Sequence, residues 1–216
     1  KEYKGSAQIK SLCLISALNT PKDSISTVIS KHCRDHTEKL FKYLKIPIKI
    51  KKKGQYDFIE VKGGYQYSGF IQKIPGDISS ASFFICLTLL SKNSKIVIQN
   101  VNVNKTRTGI IDLANKICPT SIKIRNKKIR NGEEVADIYV KSAKKFKAIK
   151  PNPLINSKVI DEFPLIFLLS IFAKGISSFR DIGELAHKES NRLKVCANFL
   201  RQIGVKVIEK KDSLKI

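Results

Sequence analysis

Three times along this chain an apolar helix pattern is followed by a β-rich stretch, an amphipathic helix pattern and a pair of alternating strands. The first copy opens with GSAQIKSLCLISAL (residues 5–18). It continues through STVIS (26–30) and CRDHTEKLFKYLKI (33–46), then ends in IPIKIKKKGQYDFIEVKGG (46–64). The second runs from PGDISSASFFICLTLLSK (75–92) through SKIVIQNV (94–101) and NKTRTGIIDLANKI (104–117) to TSIKIRNKKIRNGEEVADIYVKS (120–142). The third opens at Asp161, and its last hairpin is expected to be cut short by the end of the chain. Repetition of one supersecondary unit implies similar elements sharing a core. The order within each copy implies an α/β fold, with each leading helix buried nearly all round.

Local signals place the joints. Asp77 stands where an N-cap is wanted, Asn131-Gly132 reads as a two-residue hairpin turn, and Gly63-Gly64 reads as a turn. The break at Pro75-Gly76 is the expected domain boundary, dividing residues 1–74 from 75–216.

Composition narrows the function classes. The longest apolar stretch, Phe163 to Ala173, is shorter than the ~20 residues a membrane span needs, so no membrane role is expected. The cysteines at 13, 33, 86, 118 and 196 form no CxxC pair. They read as free thiols of a reducing, cytoplasmic compartment, with no metal site expected. The absence of methionine and the start in mid-pattern read as an internal fragment of a longer protein. The formal charge of +23 leaves two explanations open, a nucleic-acid surface or the Lys/Ile/Asn enrichment of AT-rich coding. Compositional drift is preferred, because Lys51-Lys52-Lys53 lies in a strand pattern without interleaved stacking aromatics.

The polar residues that stand out collect at helix starts: Ser6 and Gln8; Arg34, Asp35, His36 and Glu38; Thr106, Arg107 and Thr108; Lys188, Glu189 and Arg192. Unpaired N–H groups and the positive dipole end make such places anion sites, so a compact phosphate or carboxylate ligand fits them. Each could equally be a simple cap. A helix expected from about Leu185 to Ile203 has an inward stripe of Leu193, Cys196, Ala197, Leu200 and Ile203. Extended backward, that stripe puts Glu189 and Arg192 on or beside the buried face. Asp161 and Glu162 precede the apolar run FPLIFLLSIFA; Asp161 is expected both to cap that helix and to face a cleft, and Glu162 to be structural.

GSAQIKS, RDHTEK, IPGDISSASFF, NKTRTGI, VIDEFP and KESNRL, in this order, closely resemble the 5-enolpyruvylshikimate-3-phosphate synthase family over essentially the whole chain. The resemblance implies a two-domain, inside-out barrel of repeated βαβαββ units, with helix N-termini directed at an interdomain cleft. Residues 1–74 would be the C-terminal part of the first domain and 75–216 most of the second. It implies transfer of the enolpyruvyl group of phosphoenolpyruvate to the 5-hydroxyl of shikimate 3-phosphate, without a cofactor, by a cytoplasmic monomer. Ser6, Ala7 and Gln8 would bind shikimate 3-phosphate, with Arg34 or nearby Ser30 as a further contact. Asp161 would bind its hydroxyls and accept the proton. Lys188 would contact the same substrate, Arg192 would grip phosphoenolpyruvate, and Glu189 would protonate its methylene carbon.

Three positions depart from the family pattern: Lys105, Ala186 and Asn191. Further cationic groups of the family site would lie before Lys1 and after Ile216, so the chain alone is expected to be inactive. The alternatives are the sister transferase acting on UDP-N-acetylglucosamine and a basic nucleic-acid-binding module.

Overall fold

The three copies fold into three small sheets of one topology. In the computed structural model, which describes residues 1–3 and 5–216, the first copy consists of α1 (Ala7–Leu18), β1 (Ile25–Lys31), α2 (His36–Tyr43), β2 (Ile48–Lys53) and β3 (Tyr56–Lys62). The second consists of α3 (Ile78–Leu90), β4 (Lys95–Asn102), α4 (Gly109–Ile117), β5 (Ile122–Arg130) and β6 (Glu133–Lys141). The third consists of α5 (Phe163–Ile171), β7 (Ser178–Phe179), α6 (Arg192–Gln202), β8 (Ile208–Lys210) and β9 (Ser213–Lys215). In each sheet the last strand lies between the other two: β1-β3-β2, β4-β6-β5 and β7-β9-β8.

A leading strand missing from the sequence pattern survives as a single parallel bridge, Glu2 to Ser30 in the first copy and Gly76 to Val101 in the second. With it each of these copies is a βαβαββ unit. In the last hairpin β8 and β9 pair, and Ile216 exchanges backbone hydrogen bonds with Ser177.

The chain divides into two units, Lys1–Ile74 with Lys128–Glu134, and Pro75–Lys127 with Val135–Ile216. In the first unit, α1 and α2 bury Leu14, Ala17 and Phe41 against Val28, Ile59 and Val61 of the sheet. In the second, one core joins the second and third copies, from Ile78, Ile85 and Leu89 of α3 to Leu193, Ala197 and Leu200 of α6. At its centre Phe163, Phe167 and Phe179 meet with ring centroids 5.1 to 6.0 Å apart. Edge and offset contacts of this kind contribute about 1 kcal/mol each beyond area burial.

The leading helices are less buried than their composition suggests. α1 leaves Ile9, Leu12 and Ile15 exposed, and α3 leaves Phe83, Phe84 and Leu87 exposed. Among the described residues each of these helices finds packing partners for one face only. The turn at Asn131-Gly132 is where the sequence puts it, with both residues at positive φ (48° and 80°), the twist a two-residue hairpin needs.

Asp77 caps α3, accepting from the Ser80 amide at 3.0 Å, and pairs with Arg107 at 2.8 Å. Burial opposes its ionisation, but the Ser80 hydrogen bond and the Arg107 charge outweigh that and lower its pKa. Because the folded pKa is depressed, this stabilisation is present above the ordinary aspartate range and is lost as pH falls through the folded value. Asp77→Ala is expected to cost about 1 kcal/mol in denaturant melts at pH 7, with the difference from the parent shrinking toward pH 3.

Candidate functional site

The first unit gathers Ser6, Ala7, Gln8 and Arg34 on the entries to its two helices. Ser6 is the N-cap of α1, its hydroxyl accepting from the Ile9 amide at 3.3 Å. Ala7 and Gln8 are the first two helical residues, and Gln8 is exposed. Arg34 is half-buried in the segment leading into α2. Ser30 is different: it is fully buried at the end of β1, its hydroxyl donating to the Lys31 carbonyl at 3.0 Å. Of the two alternatives for the further contact, only Arg34 reaches the surface. His36 is held within this unit by Glu133, Nδ1 to Oε1 at 2.5 Å.

Beneath these residues lies a pair of which the sequence pointed out only Glu38, as a polar residue at a helix start. Lys10 is completely buried within α1, its ammonium 2.6 Å from Glu38 Oε1 and donating to the Arg34 carbonyl at 2.6 Å. The signal was available, because Lys10, Leu14 and Ala17 are spaced as one inward stripe. Burial pulls the Lys10 pKa down, but the charge and hydrogen bond of Glu38 override it and the net shift is upward.

In the second unit Asp161, Lys188, Glu189 and Arg192 come together. Arg192 is the first residue of α6; its Nη1 donates to Asp161 Oδ1 at 3.0 Å and its Nη2 to Glu189 Oε2 at 2.5 Å. Lys188 Nζ stands 3.7 Å from the same Asp161 oxygen. One guanidinium thus bridges the two acids, with a second cation beside the first of them. The Glu189 backbone amide, the hydrogen bond from Arg192 and the Arg192 charge all lower the Glu189 pKa, so this carboxylate is ionised near neutral pH.

Two expectations are corrected here. The helix expected from Leu185 is interrupted: a 3₁₀ turn covers Gly183–His187, Lys188 is extended, and α6 begins at Arg192. Glu189 therefore belongs to a loop and its side chain is 81% exposed, rather than lying beside the buried stripe. Asn191 is the N-cap, its side-chain oxygen accepting from the Lys194 amide at 3.0 Å. The N-cap position of α5 is Glu162, not Asp161.

Glu162 is nearly inaccessible and accepts a short hydrogen bond from the Ser79 hydroxyl, which in turn accepts from Arg107 Nη2 at 2.6 Å. Asp77, Ser79, Arg107 and Glu162 form a polar chain joining the starts of α3 and α5. Arg107 is thereby committed to structure rather than presented to a ligand. At the start of α4, a Cβ on Gly109 would lie 2.8 Å from the Lys158 carbonyl, so only glycine lets α4 approach the segment that leads to Asp161.

No cluster of three or more potential metal ligands occurs among the described residues, and no helix there is long and apolar enough to cross a membrane.

A family model described as EPSP synthase (3-phosphoshikimate 1-carboxyvinyltransferase) matches residues 2–216. The chain is 37% identical over 213 residues to the 3-phosphoshikimate 1-carboxyvinyltransferase of Petrotoga mobilis, covering 98% of this chain and 48% of that protein. It is 34% identical over 212 residues to the enzyme of that name from Bacillus licheniformis, with the same two coverages. The chain spans about half the length of these curated relatives. Among solved structures, EPSP synthase from Acinetobacter baumannii superposes with a TM-score of 0.84 at 30% identity, over 98% of this chain and 46% of that one. The enolpyruvyl transferase NikO from Streptomyces tendae shares the fold, with a TM-score of 0.57 at 12% identity over 88% of this chain and 42% of that one.

Replacing Arg192 by Gln removes two of the four influences that lower the Glu189 pKa, leaving the backbone amide and the Lys188 charge. The Glu189 pKa is expected to rise in the variant, as read by carboxyl-carbon NMR titration; an unchanged value would show that the guanidinium has no hold on it.

Proposed function

Because the chain belongs to the EPSP synthase family, we propose that the full-length protein transfers the enolpyruvyl group of phosphoenolpyruvate to the 5-hydroxyl of shikimate 3-phosphate, a step toward the aromatic amino acids. The observation that carries this reading is the Asp161–Arg192–Glu189 bridge with Lys188 beside it. A base, an acid and two cations at this spacing suit transfer between two anionic metabolites. We read residues 1–74 as the C-terminal part of the first enolpyruvyl transferase domain and 75–216 as most of the second.

Ser6, Ala7, Gln8 and Arg34 bind shikimate 3-phosphate, Ser6 and its neighbours through the open first turn of α1 and Arg34 as a cationic contact. Ser30 supports the Arg34 segment from beneath. Lys188 contacts the same substrate, and Asp161 accepts the 5-hydroxyl proton as that oxygen attacks the phosphate-bearing carbon of phosphoenolpyruvate. Glu189 gives a proton to the methylene carbon, which becomes a methyl group in a tetrahedral adduct. Loss of a methyl proton then expels phosphate and restores the double bond.

Glu189 must be protonated to act as the acid, yet without ligands Arg192 helps to hold it ionised. The phosphoenolpyruvate carboxylate resolves this by competing for the guanidinium. Once Arg192 turns to the substrate, Glu189 loses its strongest cationic neighbour and beside the new anion its proton affinity rises. Substrate binding itself thereby arms the acid.

The five cysteines are all unpaired, which supports a reducing, cytoplasmic setting. We take the protein to act as a monomer without a cofactor. The names carried by the matched family and relatives favour neither UDP-N-acetylglucosamine as acceptor nor a nucleic-acid partner.

In the full-length protein, Asp161→Ala and Glu189→Ala are each expected to lower turnover with shikimate 3-phosphate at least about a hundredfold, the scale of positioned acid–base groups. Turnover at the parent rate would reject the assignment. Faster consumption of UDP-N-acetylglucosamine than of shikimate 3-phosphate would reject the acceptor.

A further inference from the structure

A lysine is an unexpected choice at position 10. The inward stripe of α1 calls for an apolar residue there, and Lys10 heads the largest fully buried side chains of the molecule. Bringing an ammonium and a carboxylate out of water costs several kcal/mol per ion, and apolar replacement of buried pairs is often neutral or stabilising. Stability alone therefore gives a weak reason for Lys10 and Glu38. What an apolar side chain at position 10 could not do is bond a carbonyl.

The Lys10 side chain does so, its Nζ donating to the Arg34 carbonyl at 2.6 Å, while the Lys10 amide makes the helical bond to the Ser6 carbonyl at 3.1 Å that an apolar residue there would also make. One residue thus joins the capping residue of α1 to the half-buried arginine before α2. Glu38 Oε1, at 2.6 Å, holds the ammonium from the first turn of α2. A second tie runs parallel to it, between the hydroxyls of Ser11 and Thr37 at 2.6 Å. The two helix entries that carry Ser6, Ala7, Gln8 and Arg34 are stitched together from below, and the Lys10–Glu38 pair is buried out of reach of any ligand.

We infer that Lys10 and Glu38 are positioning residues, which set the distance between the first turn of α1 and Arg34 and so shape the first unit's site for a phosphorylated substrate. The inference rests on the reading of Ser6–Gln8 and Arg34 as groups that bind shikimate 3-phosphate. Fixing the binding groups before the ligand arrives lowers the ordering cost of binding. Loss of the clamp should therefore weaken that substrate and leave the partner substrate untouched.

The test uses the full-length protein carrying Lys10→Met with Glu38→Leu, which removes both charges and preserves apolar volume. The expected result is a folded protein whose KM for shikimate 3-phosphate is raised about tenfold, with the KM for phosphoenolpyruvate within twofold of the parent. A second variant, Lys10→Gln with Glu38→Gln, keeps a neutral polar pair one bond shorter at position 10 and should show the same split. A folded variant with both KM values at parent level overturns the inference. So does failure of both variants to fold, which would make the pair a stability element. Arg34→Ala separates the two levels: if it raises the shikimate 3-phosphate KM while the folded double variants do not, the clamp fails and the site stands. If Arg34→Ala leaves that KM unchanged, the binding assignment fails and the clamp falls with it.

Discussion

One guanidinium holds two carboxylates of the second unit together. Arg192 reaches Asp161 with one nitrogen and Glu189 with another, so two carboxylates on different elements share a single cation. Its position depends on the core below. Asp161 comes two residues before Phe163, whose ring is locked against Phe167 and Phe179, so the backbone that carries the acid has little freedom. Arg192 begins α6, whose Leu193, Ala197 and Leu200 enter the same core. The packed rings and the packed helix hold Asp161 and Arg192, and Glu189 joins them from an exposed loop. In the proposed reaction the packed groups bind and orient, while the exposed acid changes partners.

Each unit also contains a buried carboxylate with a structural use. Glu162 meets Ser79, and through it Arg107, across the starts of two helices; Glu38 meets Lys10 across two others. Isolated charges at such depth would be prohibitive, and each is tolerated because a specific partner faces it. The same device serves both units, with helix entries joined beneath the surface by polar side chains while neighbouring groups remain on top. Arg107 and Ser30, both of which resemble ligand contacts in the bare sequence, belong to the lower layer.

Much of this was legible in the residues. The recurring order of elements, the Asp77 cap and the Asn131-Gly132 turn rest on short-range rules, and the structure follows them. Places where tertiary packing decides were not legible. Helical periodicity continues without a break through Lys188, yet the chain leaves the helix there and re-enters it at Arg192, which moves Glu189 from a buried stripe to an open loop. Adjacent Asp161 and Glu162 look equivalent as caps, and only the partner at Ser79 shows which is the buried one. Lys10 was written plainly on the inward stripe, but its meaning required knowing that the Arg34 carbonyl lies opposite.

In the proposed reaction Arg192 changes partners when substrate arrives. The most direct measurement is an NMR titration of the Glu189 carboxyl in the full-length protein, first without ligand and then with saturating phosphoenolpyruvate. A pKa below the usual glutamate range that moves up on addition of the ligand is the predicted result. A value that stays in place, or moves further down, would show that the bridge is not released by substrate and would contradict Glu189 as the acid.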